Sequence, residues 1–289
     1  MKIPSKKAGD FSLPMLGLGT YGLGGKTELD PNNDDQNDVA LIKEAVDCGL
    51  THIDTAEIYA QGHSEEILAQ AIKNIDRQKL FITSKVVNWH LGYDDLVNAA
   101  KNSLKRLGLK KLDLYLIHAP NPAISLKETM SAMDYLLENE LIGAIGVSNF
   151  TTTWIQAAQN YTKYKIVNNQ IHYNLTARAY EKNGTLDYCQ KNNILITAYR
   201  PIGRGMDLDN ALLKNLAKKY NKTPAQVALN WVINKPNVVG LVKTASQKHL
   251  AENLGAIGWR LLPDDEKSLD QDFPQGETIN LYENQKPYH

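Results

Sequence analysis

The chain has 289 residues, and 32 Lys and Arg balance 32 Asp and Glu, for a formal net charge of zero. Nucleic-acid and membrane-surface partners call for a basic excess, so this balance argues against both. The length suits one α/β domain, residues 1–289, with ample material for a core.

Several features set the expected compartment. Cys48 and Cys189 stand far apart with no Cys-x-x-Cys spacing. They read as buried helical thiols in a reducing environment. Met1 to Asp10 is polar and has no apolar signal region, and no segment has the length of a membrane span. The expectation is a soluble cytoplasmic protein.

In chain order, short apolar runs alternate with helical stripes. The first run ends near Thr20, and a Gly- and Asn-rich loop, Gly22 to Asn33, follows. Val39, Ile42 and Val46 share a helical face, with a start near Asp34, Asp35 or Asn37 and a stop at Gly49. His52 to Ala56 reads as a strand, and Leu68, Ala71, Ile72 and Ile75 as a helix. Phe81 to Val86 is strand-like, and Val97, Ala100, Leu104 and Leu107 repeat at helical spacing. The basic stretch Lys101 to Lys111 on that helix reads as a solvated face. Leu112 to Ile117 is apolar at nearly every position, as expected of a strand covered on both faces. Further runs fall at Ile142 to Val147, Ile166 to Asn169, Ile194 to Ala198 and Val238 to Val242. Eight β-then-α units predict a parallel sheet, and this length favours a closed (β/α)8 TIM barrel over an open doubly wound sheet. A second glycine-containing loop spans Arg200 to Asp209, and the tail from Asp270 to His289 reads as a loose extension.

Two glycine motifs mislead. Gly17-Leu18-Gly19-Thr20-Tyr21-Gly22 satisfies G-x-G-x-x-G, but a loop follows it, so no helix N-terminus meets a pyrophosphate. Gly25-Lys26-Thr27 resembles the end of a P-loop, but Thr20 stands where the first glycine belongs. The seven histidines show no metal-ligand spacing, and no metal is expected. There is no Gly-x-Ser-x-Gly elbow.

The chemistry lies in what the apolar runs end on: Asp54, Lys85 and His118 on successive strands, with Tyr59 in the loop after Asp54. A phenol titrates near ~10 and is a poor proton donor at neutral pH. A lysine beside it stabilises phenolate and lowers that value, and a carboxylate keeps the lysine charged. An imidazole can hydrogen-bond a substrate oxygen. Together they suit a carbonyl that gains negative charge and then a proton.

These residues resemble the Asp, Tyr, Lys, His tetrad of the aldo-keto reductase superfamily, and the resemblance runs along nearly the whole chain. Gly17 to Tyr21 is similar to its first-strand motif, and Thr223 to Trp231 to one of its helices. The resemblance implies NADP(H) as preferred cofactor, with NAD(H) accepted, and a small carbonyl or alcohol substrate. It implies that Ser148, Asn149 and Gln170 hold the nicotinamide carboxamide and that Tyr199 stacks on the ring. Gly19, Thr20, Tyr21 and Asp54, with Ile202 and Gly203, complete the expected cofactor wall. Lys243, Thr244, Glu252 and Asn253 match the adenosine-phosphate site. A monomer is expected, as is common in the family.

Three positions depart from that pattern. His249 stands where NADPH-preferring members carry arginine, and imidazole offers less than a guanidinium fork. Arg200 replaces a common serine, and Arg204 lies nearby; both are candidates for the diphosphate. Val87 stands where tryptophan is frequent, with an indole instead at Trp89. Tyr21, Tyr59, Trp89, His90 and His118 are candidates for the substrate pocket, with core packing the alternative for Trp89. Two other functions fit part of the pattern: a Schiff-base lyase using Lys85, and a cofactor-sensing binding subunit of the same fold.

Overall fold

A computed structural model of the chain describes residues 3–203, 208–244 and 246–273. Eight strands carry the architecture: β3 (Leu16–Gly19), β4 (His52–Asp54), β5 (Phe81–Val86), β6 (Leu114–Ile117), β7 (Ile145–Ser148), β8 (Ile166–His172), β9 (Leu195–Tyr199) and β10 (Val238–Val242). Each pairs in parallel with the next, and β10 pairs with both β9 and β3, so the sheet closes into a barrel. The expected (β/α)8 architecture is present. Every residue of β6, β7 and β10 is buried, as strands covered on both faces require.

Before the barrel, β1 (Ser5–Ala8) and β2 (Phe11–Pro14) form an antiparallel hairpin. It turns at Gly9, whose φ of 61° suits glycine. Ala8 and Leu13 pack on Leu195 and Val239, near the starts of β9 and β10. The hairpin therefore plugs the barrel at the end opposite the strand termini. Its polar sequence hid it, because only one residue of each four-residue strand, Ala8 or Leu13, is buried.

The helices are α1 (Asp35–Asp47), α2 (His63–Ile72), α3 (Tyr93–Leu107), α4 (Leu126–Glu138), α5 (Thr152–Gln159), α6 (Ala179–Lys182), α7 (Thr185–Lys191), α8 (Ala211–Tyr220), α9 (Pro224–Asn234), α10 (Gln247–Leu254) and α11 (Pro263–Asp272). Asp34 is the cap of α1, accepting the Asn37 N–H, and Gly49 follows its end with a φ of 102°. The α3 stripe Val97, Ala100, Leu104 and Leu107 is buried, while Lys101, Lys105, Lys110 and Lys111 face solvent. Each such valine or leucine side chain contributes about 1.5–3 kcal/mol when fully buried. A reciprocal capping box between Thr223 and Gln226 starts α9. Cys189 is buried in α7, and burial pushes its thiol up to about 12. Cys48, expected to be buried within a helix, is instead the half-buried cap that follows α1, because it falls on the last turn next to Gly49. Both are free thiols.

The expectation for the C-terminal segment also needs correction. Asp270 to Asp272 belong to α11, not to a loose tail. Asp270 accepts the Trp231 indole N–H at 3.1 Å and pairs with Arg178 at 3.2 Å. Residues 274–289 lie outside the described residues. Among the described residues, no helix is long and apolar enough to cross a membrane.

Candidate active site

The strand termini converge as the apolar runs suggested, with two shifts. Asp54, Ser148 and Tyr199 end their strands, and Thr20, His118, Asn149 and Lys243 follow theirs. Lys85 is one residue short of the end of β5, and Gln170 two short of the end of β8. That inward placement takes Lys85 fully out of solvent.

The Lys85 ammonium is held on three sides. It donates to Asp54 Oδ1, to the Thr55 carbonyl at 2.8 Å and to the Tyr59 hydroxyl at 3.2 Å. Burial alone lowers a lysine, but here the charge of Asp54 and the neighbouring Tyr59 outweigh it, and the pKa is raised. Tyr59 is 9% exposed and opens a short helical turn instead of lying in a loop. Its ring meets Tyr21 edge-on at 5.2 Å and His118 at 5.8 Å. Burial raises the phenol above its ordinary value of 10.0; Lys85 pulls it down without cancelling that. The net lowering expected from the sequence is therefore reversed, and the phenol rests protonated. Burial, with the nearby Lys85 charge, lowers His118 to about 3, so it is neutral at physiological pH.

The turn carrying Tyr59 is itself pinned. Ala60 and Gln61 have φ of 47° and 57°, a region costly for residues with a Cβ. The Ala60 N–H donates to the Lys26 carbonyl at 2.7 Å, and Ser64 Oγ donates to the Leu23 carbonyl at 2.6 Å. The Gly22 to Asn33 loop thus braces the turn. Behind β5, Ser84 Oγ donates to the buried Glu65 at 2.6 Å, and Arg106 neutralises that carboxylate at 2.7 Å.

Next around the barrel is a wall of amides. Asn149, at φ 62°, donates from Nδ2 to the His118 carbonyl and to Ser148 Oγ, each at 3.0 Å. Ser148 Oγ donates to the Gln170 carbonyl at 2.9 Å, and the Tyr199 hydroxyl to Asn149 Oδ1 at 2.9 Å. The Tyr199 ring lies parallel to His172 at 5.3 Å. Gln170 Nε2 donates to Asp54 Oδ2 at 2.8 Å and so ties this wall to Lys85.

Past Tyr199 the site opens. Arg200 is exposed at φ 53°, and its carbonyl accepts Asn174 Nδ2 at 2.9 Å. Lys243 is exposed and donates to the Gly22 carbonyl at 3.4 Å. The Thr244 hydroxyl is turned inward, donating to the Ser246 carbonyl at 2.8 Å. His249 is exposed in the first turn of α10, and its N–H donates to Ser246 Oγ at 3.3 Å. Asn253 Nδ2 donates to the Lys243 carbonyl at 3.4 Å, and the Glu252 carbonyl accepts from Gln226. Arg204 lies outside the described residues.

A cavity of about 630 Å³ joins these parts. Gly19, Tyr21, Asp54, Tyr59 and His118 line one end; Ser148, Asn149, Gln170 and Tyr199 the middle; Arg200, Ile202, Gly203 and Lys243 the other. Thr20, Lys85, His90, Thr244, His249, Glu252 and Asn253 do not line it. Thr20 contributes through its backbone, donating to the Asp54 carbonyl at 2.9 Å. Trp89 lines the cavity at 57% exposure, so core packing is not its role. The sequence reading missed Thr27, Ile58, Asn88 and Ala119 on the walls. They carry no patterned signal; their loops bring them in. Among the described residues, no His, Cys, Asp and Glu cluster could hold a metal.

The arrangement can present a protonated phenol and a neutral imidazole to one oxygen atom, with a fixed ammonium behind the phenol. Residues 15–271 match the model of the Aldo/keto reductase family. Methylglyoxal reductase YeaE of Escherichia coli is 34% identical over 92% of this chain and 93% of its own. Glyoxal reductase of Bacillus subtilis is 34% identical over 89% and 88%. The thermostable aldo-keto reductase Tm1743, solved with the inhibitor epalrestat, superposes with a TM-score of 0.89 at 42% identity, covering 93% of this chain and 99% of that one. An aldo-keto reductase from Klebsiella pneumoniae solved with NADPH gives 0.86 at 34% identity over 96% and 97%. With the family model spanning the barrel and these relatives matched nearly end to end, this chain belongs to the aldo/keto reductase family.

Proposed function

We propose that this chain reduces small aldehydes and ketones to alcohols with NADPH, with Tyr59 as the proton donor. One observation carries the reading: the protonated Tyr59 hydroxyl lies 3.2 Å from a lysine that is itself locked by a buried carboxylate. The methylglyoxal and glyoxal reductases among its relatives support a small aldehyde.

The residues divide the work. His118, neutral, donates to the carbonyl oxygen and orients it. As charge grows on that oxygen, the Tyr59 proton moves to it. Lys85 stabilises the phenolate left behind, and Asp54 keeps Lys85 charged and aimed. When bound, the dinucleotide supplies the hydride that reduces the carbonyl carbon. The walls fit such a group: the Ser148 hydroxyl and Asn149 amide at the end of β7, the Gln170 amide on β8, a flat phenol on β9, then Arg200 and Lys243 where phosphates would lie. Ser148, Asn149 and Gln170 hold the carboxamide, and Tyr199 stacks on the ring.

NADP(H) is preferred over NAD(H) through the exposed charge of Lys243 at the open end of the cavity, with His249 offering less than an arginine would. A Schiff-base role for Lys85 requires an accessible neutral amine, whereas this ammonium is fully buried with a raised pKa. All four tetrad residues come from one barrel, so a monomer suffices.

Cofactor absorbance followed over a panel of aldehydes and ketones tests the reading. Steady NADPH oxidation at a rate proportional to enzyme is expected. NADPH binding without turnover on any carbonyl would assign a binding role instead. Equal or better kcat/KM with NADH would overturn the cofactor preference.

A further inference from the structure

Glu57 stands two residues before Tyr59, outside any helix or strand. Its side chain is only 10% exposed, a costly place for a carboxylate without partners. Oε1 accepts the Val87 N–H at 2.8 Å and the Nδ1–H of His90 at 3.2 Å. Its own backbone N–H donates to the Lys85 carbonyl at 3.3 Å. One residue therefore fastens to the chain on both sides of the end of β5.

The fastened loop is the substrate wall. Val87, Asn88 and Trp89 all line the cavity. Among the described residues, two other side chains clamp the loop: Asn121 Nδ2 donates to the Asn88 carbonyl, and Thr129 Oγ1 to the Leu91 carbonyl, each at 2.8 Å. Both of those come from outside the Tyr59 segment. Of the three clamps, Glu57 alone is on the segment that carries the phenol.

We infer that Glu57 is a positioning and specificity-determining residue: through Val87 and His90 it holds the Val87–Trp89 wall in register with the Tyr59 hydroxyl. The inference rests on the carbonyl-reductase reading above. A substituent resting on this wall delivers its carbonyl to Tyr59 only while the register holds. An aldehyde too small to reach the wall is indifferent to it.

The test compares acetaldehyde with 4-nitrobenzaldehyde in the wild type, Glu57→Ala, Glu57→Gln and His90→Ala, all with NADPH. Glu57→Ala is expected to raise KM for the aromatic aldehyde about tenfold while kcat/KM for acetaldehyde changes less than about twofold. NADPH affinity stays unchanged. Glu57→Gln keeps a side-chain oxygen for the Val87 N–H and recovers most of the loss. Should Glu57→Ala fail to fold, His90→Ala carries the same test with a rise of about threefold. Equal changes for the two aldehydes, or none, overturn the inference.

A second readout does not need turnover. The nanosecond anisotropy decay of Trp89, taken as the difference from the matching Trp89→Phe protein, gains a larger fast component in Glu57→Ala and loses it in Glu57→Gln. Unchanged decay overturns the inference. Failure of the wild type to reduce any carbonyl overturns the reductase reading instead, and the anisotropy result then decides whether Glu57 positions the wall.

Discussion

At the Tyr59 end of the cavity, Asp54, Lys85 and Gln170 are buried and bonded to one another. At the Lys243 end, Lys243 and Arg200 are exposed on loops, and His249 is exposed at a helix start outside the cavity lining. The first end is preorganised, because removing any member strands another in a dry interior. The second acts through charge in water, where each contact is weaker and salt-dependent. One end is built to fix a geometry and the other to collect a long, charged ligand.

The largest contrast should come from two lysines. Lys85→Met leaves the Asp54 carboxylate buried and unpaired and should cost about 3–5 kcal/mol in denaturant unfolding. Lys243→Met should change stability by no more than about 0.5 kcal/mol. Comparable losses would erase the distinction between the two ends.

Acid should act on the buried end. His118 and His52 are lowered to about 3 and about 4 from 6.5. In the unfolded chain both take up protons near 6.5, while the fold holds them neutral to lower pH. The stability they contribute is complete above 6.5 and is lost as pH falls from there toward 3. Urea midpoints at successive pH values check this. The same shift predicts no break from His118 near pH 6.5 in the rate of reduction. The raised Tyr59 pKa predicts that its proton remains available up to 10 and beyond.

Smaller effects belong to the open end. Lys243→Ala and Arg200→Ala should each weaken NADPH binding about tenfold at low salt, with the loss shrinking as ionic strength rises. Titration at two salt concentrations measures it. His249→Arg should raise the NADPH-to-NADH ratio of kcat/KM by a few fold, since a guanidinium adds a fixed charge and a planar fork.

The buried end was also the more legible one. Asp54, Lys85 and His118 each interrupt an apolar run, and a polar residue there signals a strand terminus facing a site. The barrel followed from the same runs. The N-terminal hairpin was not legible, because Ser5 to Pro14 lacks an apolar run and its pairing is sealed by Leu195 and Val239, far away in sequence. Asp270 looked like tail until Trp231 and Arg178 claimed its carboxylate. Glu57 resembled any loop carboxylate; its importance lies in a backbone N–H thirty residues on, which no local pattern encodes. The sign of the Tyr59 shift also escaped, since burial of the ring is a tertiary property that outweighs its lysine.

The Tyr59→Phe substitution tests the proton donor most directly, since it removes one hydroxyl and leaves the ring between Tyr21 and His118. NADPH-dependent carbonyl reduction should fall by about 10³-fold or more, while NADPH affinity stays within about twofold, because the phenol is not among the residues assigned to hold the cofactor. Turnover within about tenfold of the wild type would contradict Tyr59 as the proton donor.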